Sequence, residues 1–309
     1  MSIPRVNLGG VIPILVTPFL ADGSIDVTDL KAELDFLVSA GVDWVGIGYG
    51  SEVNKLDPLE VVDLVAATVQ AAAGRVKVLG NAEVPSTRAG IAAVRRAVDA
   101  GADAVMVRPT GLMGSAVAEV VRAFVETANE TGAALVIQDA PQNTGVELSA
   151  SCLVEIARQA PTVAALKIEP PAPGPKMSEI RALAGTEPIT MLGGLGGAGF
   201  VQELVRGSMG TMPGPAFPDV FAAVHRLFLA GDRGAATRLL WRIAPFTVLG
   251  SRDMESFLYI QKYLLRRRGV IGTTSLRGPH RPIDALLQGE IDDLIVDLET
   301  LELLDQETS

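Results

Sequence analysis

Along the first 230 residues, short apolar runs alternate with longer stretches of helical period. Runs at 11–16, 44–48, 76–80, 104–108, 134–138, 163–168, 189–192 and 209–212 are bounded by Gly, Pro or Asp, and they read as strands buried on both faces. Stretches with apolar residues at helical spacing fill 27–40, 58–73, 86–100, 115–131, 149–159, 176–184, 198–206 and 218–230. Asp57 before Pro58, Ser86 and Ser149 have the chemistry of helix N-caps. A repeat supports the alternation. Ala40-Gly41-Val42-Asp43 returns as Ala100-Gly101-Ala102-Asp103, and Thr131-Gly132-Ala133 is a looser third copy. In each, a glycine ends a helix and an apolar strand begins. The spacing of 60 and then 31 residues suits units of one strand plus one crossover helix.

Eight strands alternating with eight helices predict an α/β fold, a closed (β/α)8 TIM barrel, over a doubly wound open sheet. Beyond residue 230 the strand signal stops. Helical stretches from 231, at 252–268 and at 283–303 predict a C-terminal helical extension, packed on the barrel or against another subunit. The domain reading is therefore a barrel over 1–230 and a helical region over 231–309. Pro170-Pro171-Ala172-Pro173-Gly174-Pro175 reads as a rigid loop after the sixth strand.

Composition narrows the function. With 309 residues, 48% of them hydrophobic, the chain has ample material for one large core. A net charge of −10 disfavours nucleic acid and anionic membranes as partners. The single cysteine, Cys152, excludes an intramolecular disulfide and a cysteine zinc cluster, and two histidines, His225 and His280, offer little for a metal site. No export signal is read in Met1-Ser2-Ile3-Pro4-Arg5, and no run is long enough to span a membrane, so the expectation is a cytoplasmic protein without metal or cofactor.

Barrel chemistry sits where strands end. Lys167 lies in the otherwise apolar run Thr162-Val163-Ala164-Ala165-Leu166-Lys167-Ile168-Glu169. Desolvation in a barrel interior should lower its pKa to roughly 7–8 and leave a usable amine. Such an amine attacks a ketone to give an imine that serves as an electron sink. The competing reading is a lysine that fills the lumen, paired with Glu169. Period-two alternation puts Glu169 on the same face as Lys167, either as a proton shuttle or as a counter-ion. One of Gln138 and Asp139 must face inward at the end of strand five. After strand two, Gly48-Tyr49-Gly50-Ser51-Glu52 can offer backbone N–H groups and the Ser51 hydroxyl to a carboxylate.

These motifs, in this order, resemble the dihydrodipicolinate synthase / N-acetylneuraminate lyase family of Schiff-base class I aldolases. The resemblance runs from Gly10 to about Pro282. It rests on Gly10-Val11-Ile12-Pro13-Ile14-Leu15-Val16-Thr17-Pro18-Phe19, the turn ending Ser51-Glu52, and Lys167. It implies a barrel, usually a homotetramer or homodimer, in which the lysine forms an imine with pyruvate or another 2-oxo acid. It further implies Lys167, Glu169 and Gln138 as catalytic residues. Pro13, Thr17, Gly50, Ser51, Glu52 and Gly193 are the implied substrate-binding positions.

Departures from the family pattern bear on the substrate. The turn lacks two threonine hydroxyls, the strand-five tyrosine is Gln138, the arginine that often follows is Asn143, and Arg108-Pro109-Thr110-Gly111 lacks the tyrosines usual after strand four. An amide is no general acid near neutral pH, so a true dihydrodipicolinate synthase is not expected. Ser51-Glu52, Gln138-Asp139-Ala140-Pro141 and Lys167-Ile168-Glu169-Pro170 are most similar to the L-2-keto-3-deoxyarabonate dehydratase-like members. That implies dehydration of a 2-keto-3-deoxy sugar acid or similar 2-oxo acid. A pyruvate-dependent aldolase and a non-catalytic ligand-binding barrel are the alternatives. Tyr49 and Leu112-Met113 point to a more apolar pocket than a sugar acid needs. Gly194-Leu195-Gly196-Gly197-Ala198-Gly199 spells a dinucleotide fingerprint, but the next strand ends Thr211-Met212-Pro213 without the acid such a site requires, so the glycines read as keeping the mouth open.

Overall fold

A computed structural model describes residues 6–251, 253–282 and 285–300. Residues 1–5, in which no export signal is read, lie outside them, as do position 252 of the expected 252–268 helix and positions 283–284 and 301–303 of the last expected helix. The strands are β1 (Gly10–Val11), β2 (Trp44–Gly46), β3 (Lys77–Val84), β4 (Ala104–Pro109), β5 (Leu135–Asp139), β6 (Val163–Ile168), β7 (Met191–Gly193) and β8 (Gly210–Thr211). They form one parallel sheet in the order β1-β8-β7-β6-β5-β4-β3-β2. A parallel bridge between Ile14 and Gly46 draws the two ends together, with Gly46 N–H donating to Pro13 O at 2.8 Å and Leu15 N–H to Gly46 O at 2.9 Å. This is the expected (β/α)8 barrel.

Helices α1 (Val27–Ser39), α2 (Pro58–Ala72), α3 (Thr87–Asp99) and α4 (Val117–Thr131) follow the first four strands. A short turn, α5 (Pro141–Thr144), precedes α6 (Ala150–Gln159); α7 (Pro173–Ala184), α8 (Phe200–Val205) and α9 (Pro218–Leu229) complete the outer ring. The predicted caps are in place. Asp57 accepts from the N–H groups of Leu59 and Glu60 at 2.7 and 3.0 Å, while Glu60 reaches back to the Asp57 N–H at 3.0 Å. Ser149 accepts from the Cys152 N–H at 3.2 Å.

Alternation along the strands sorts side chains into two layers. Leu166 and Ile168 point outward to the helices, in a core with Val105, Val107, Ile137 and Phe124. Ala165 points inward with Ile12, Trp44, Leu79, Met106, Val136, Leu192 and Met212, which fill the lumen below the catalytic end. Cys152 is buried among the helices, where desolvation pushes its thiol up to about 11 and leaves it inert as a nucleophile at neutral pH.

Three local expectations need correction. The apolar run 11–16 is continuous strand only at Val11, with Gly10 before it; past Pro13, which has no N–H to donate, it pairs through the single Ile14–Gly46 bridge. The third strand runs on to Val84, past polar positions, with the buried Asn81 amide donating to Ile47 O at 3.3 Å. The proline-rich segment is not all loop. Pro173 starts α7, since a first-turn proline gives up an N–H that a helix leaves unpaired anyway.

The C-terminal region forms α10 (Arg233–Arg242), α11 (Ala244–Gly250), α12 (Met254–Arg267) and α13 (Ala285–Thr300). Phe246, Leu258, Tyr263 and Leu264 join α9 residues Val220 and Phe221 in one apolar cluster. The chain thus returns across the barrel's catalytic end. Among the described residues, no helix is long and apolar enough to cross a membrane.

Candidate active site

Lys167 lies next to Gln138 of β5 and Leu192 of β7 in the ladder, two positions inward of Ala165 on the lumen face. Its Nζ stands 3.2 Å from Glu169 Oε2, and the two side chains are 5% and 10% exposed. Glu169 is held from two further directions. Gln138 Nε2 donates to Oε2 at 2.7 Å, and the Leu195 N–H donates to Oε1 at 2.8 Å. The carboxylate is thereby aimed at the lysine. Gln138 settles the inward–outward alternative. Its neighbour Asp139 points to the helices, where Lys176 lies at 2.7 Å and the Leu148 N–H donates at 3.1 Å. Burial raises the Asp139 pKa, against the opposing pull of Lys176.

The amine opens into a cavity of about 420 Å³ at the C-terminal end of the strands, within the range of small-molecule sites. Lys167, Glu169 and Gln138 form its floor, and Gln142 and Asn143 approach from α5. Tyr49, Gly50 and Leu195 line the sides, while Phe246, Thr247, Asp253, Met254 and Phe257 come from the C-terminal helices. Sequence reasoning missed this last contribution; no periodicity signal shows where a terminal helix docks. Gln138 Oε1 has no protein partner and can accept a hydrogen bond from a bound hydroxyl.

Of the six positions expected to bind substrate, Gly50 lines the cavity and five lie behind its wall. The Ser51 hydroxyl donates to Leu15 O at 2.5 Å and accepts from the Gly48 N–H at 3.2 Å, so it is already committed. Thr17 Oγ1 donates to Ser51 O at 2.6 Å, and the Pro13 carbonyl closes the barrel seam. Glu52 takes a left-handed backbone, φ 57°, and is fully buried. It accepts from Lys262 Nζ at 2.6 Å and from the Arg277 N–H at 2.8 Å. Gly193 is the point where Glu203 packs; a Cβ there would collide with its carboxylate. These residues build the wall and hold the turn.

Two buried cations escaped sequence reasoning. Arg108 is fully buried, pairs with Glu83 at 2.8 Å and sits over the Tyr49 ring, its Cζ 3.9 Å from the centroid. Lys262 reads in the sequence only as part of an amphipathic helix, because its partner Glu52 is 210 residues away.

A (β/α)8 barrel with a lysine and a held carboxylate at the C-terminal ends of its strands has the layout of a barrel enzyme. The profile of the Dihydrodipicolinate synthetase family matches residues 7–297, and the chain belongs to that family. An L-2-keto-3-deoxyarabonate dehydratase from Azospirillum brasilense is 28% identical over 90% of both chains. A 4-hydroxy-tetrahydrodipicolinate synthase from Methanosphaerula palustris is 30% identical over 76% of this chain and 81% of its own. The crystal structure of dihydrodipicolinate synthase from Rhodopseudomonas palustris superposes with a TM-score of 0.86 at 26% identity, covering 94% of this chain and 97% of that one.

Proposed function

We propose that this lyase acts on a 2-oxo acid through an imine at Lys167, and that it dehydrates rather than cleaves a carbon–carbon bond. The carrying observation is the Lys167 amine at the floor of a 420 Å³ cavity, 3.2 Å from Glu169. The neutral amine adds to the ketone carbon and water leaves, giving the imine. Glu169 then takes a proton from the adjacent carbon, and the electrons of that C–H bond move into the imine as an enamine. Their return expels a hydroxyl from the next carbon, which departs as water with a proton from solvent or Glu169. The hydroxyl is steered by Gln138, whose amide donates to Glu169 and has a free oxygen.

Three features support a 2-keto-3-deoxy sugar acid or a more apolar 2-oxo acid over the substrates of a dihydrodipicolinate synthase. Gln138 stands where a tyrosine would relay a proton. Asn143 lines the cavity where an arginine would hold a second carboxylate. Phe246, Met254 and Phe257 make one wall apolar. The dehydratase relative, similar over nine-tenths of both chains, points the same way. The same reading carries a cytoplasmic assembly of two or four copies, which sedimentation measures.

Pyruvate followed by borohydride should leave a reduced adduct on Lys167 in a peptide map. No adduct with any of a panel of 2-oxo acids sinks the proposal. Product mass spectra separate the reactions: loss of water alone supports dehydration, and released pyruvate supports the aldolase.

A further inference from the structure

A second carboxyl lies behind the end of β7, outside the chemistry just described. Glu203, on α8, is 2% exposed, and neither carboxyl oxygen has a hydrogen-bond partner. Two consecutive glycines make room there. A Cβ on Gly193 would overlap the Glu203 carboxyl, and a Cβ on Gly194 would overlap that of Glu169. Successive residues of an extended chain point to opposite sides, so the two acids flank one Gly193–Gly194 dipeptide. This accounts for the start of a glycine-rich motif that nucleotide binding does not explain.

An ionised carboxylate without partners is expensive to bury, and a like charge nearby adds to the cost. Burial first, and the Glu169 charge second, push the Glu203 acid up to about 8. At neutral pH Glu203 is therefore the uncharged acid. The groups around it are few. Glu169 faces it from the end of β6, paired with Lys167. From α9, His225 stacks on Phe200 of α8 with ring centroids 5.8 Å apart, and burial pushes its pKa down. Arg181 of α7 lies beside Gly207, Arg206 reaches Gln202 O at 2.9 Å, and Arg233, Arg238 and Arg242 of α10 are exposed.

We propose that Glu203 is a positioning residue for the lysine: as a neutral acid behind Gly193–Gly194 it spares the Lys167–Glu169 pair a second negative charge, and its ionisation holds Lys167 as the ammonium and slows imine formation. This rests on the reading that Lys167 forms an imine. It makes the enzyme's alkaline limit a property of a side chain that never touches the substrate.

The test is the rate of borohydride-trappable imine formation with pyruvate, from pH 6 to pH 10, in the full chain and in Glu203→Gln. In the wild type the rate flattens or falls above about pH 8, where Glu203 ionises, whereas in Glu203→Gln that break is absent. The profiles should diverge by roughly threefold to tenfold at pH 9. Glu203→Met, uncharged and of similar length, gives the same readout if the amide variant does not fold. Superimposable profiles overturn this proposal and leave the imine chemistry standing, as does a folded variant that forms no adduct at any pH. A wild-type chain that forms no adduct overturns both. A merely structural Glu203 would not move the pH profile.

Discussion

The barrel mouth and the seam beneath α12 each bury a lysine against a glutamate, with opposite consequences. At the seam, Lys262 donates to Glu52 and to Ser275 O, both at 2.6 Å; the Lys262 and Glu52 side chains are fully buried, and Phe19 covers the ammonium 4.5 Å from its ring centroid. Desolvation pulls the Lys262 pKa down and Glu52 opposes it. No ligand can reach this amine. At the mouth, the pair is longer, 3.2 Å, and the carboxylate is shared with Gln138 and Leu195. The Lys167 amine has an open side, and the cavity lies on it. Both carboxylates have further donors, the Arg277 N–H for Glu52 and Gln138 and Leu195 for Glu169, so what separates the two amines is access to the cavity.

The sharpest way to break this contrast is to exchange the two lysines' expected losses. Lys167→Met should remove the borohydride adduct and lower turnover by about 10³-fold or more, because no other amine lines the described cavity wall. Urea midpoints should fall less than in the seam variant, because Glu169 keeps the Gln138 and Leu195 donors and faces the cavity. Lys262→Met should do the reverse. It leaves Glu52 buried and unpaired and costs about 3–5 kcal/mol in chemical denaturation, while folded protein still forms the adduct. Adding Glu52→Leu should recover part of that loss; if the double variant is no more stable than the single one, Glu52 is not the uncompensated charge.

A third expectation separates Glu203 from both pairs. Its folded-state pKa is raised to about 8 from an ordinary 4.5. Its contribution is fully present below pH 4.5 and is lost as pH rises through 8, because the unfolded chain releases a proton that the folded one keeps. Glu203→Gln should flatten the stability–pH curve in that window by up to about 1.4 kcal/mol per pH unit. Glu33, also raised by burial, leaves a background slope of the same sign. The smallest effect is expected at Gln138→Leu. Losing one donor to the Glu169 carboxylate should lower kcat by roughly tenfold, with a smaller change in KM. A KM change without a kcat change would make Gln138 a binding group only.

Much of the architecture was legible in the chain because the signals are local. Period-two alternation over Ala165, Lys167 and Glu169 places the amine and the carboxylate on one face whatever packs around them. Helix caps such as Asp57 and Ser149 act on N–H groups two or three residues away, so their sequence neighbours suffice to find them. The (β/α)8 count follows from eight short apolar runs bounded by Gly, Pro or Asp.

What needed the fold was everything set by distant partners. Ser51, Glu52 and Thr17 have side chains suited to a ligand, yet Leu15, Lys262 and the turn's own backbone claimed them first. Glu203 looks like any helix glutamate until Gly193 and Gly194 make space for two acids around one dipeptide. The apolar wall of Phe246, Met254 and Phe257 depends on where the C-terminal helices dock. Residue type and period determine which face a side chain takes, because backbone geometry is short-ranged. Desolvation and charge pairing act through space, so only the assembled barrel decided which of two buried lysines was left open to the cavity.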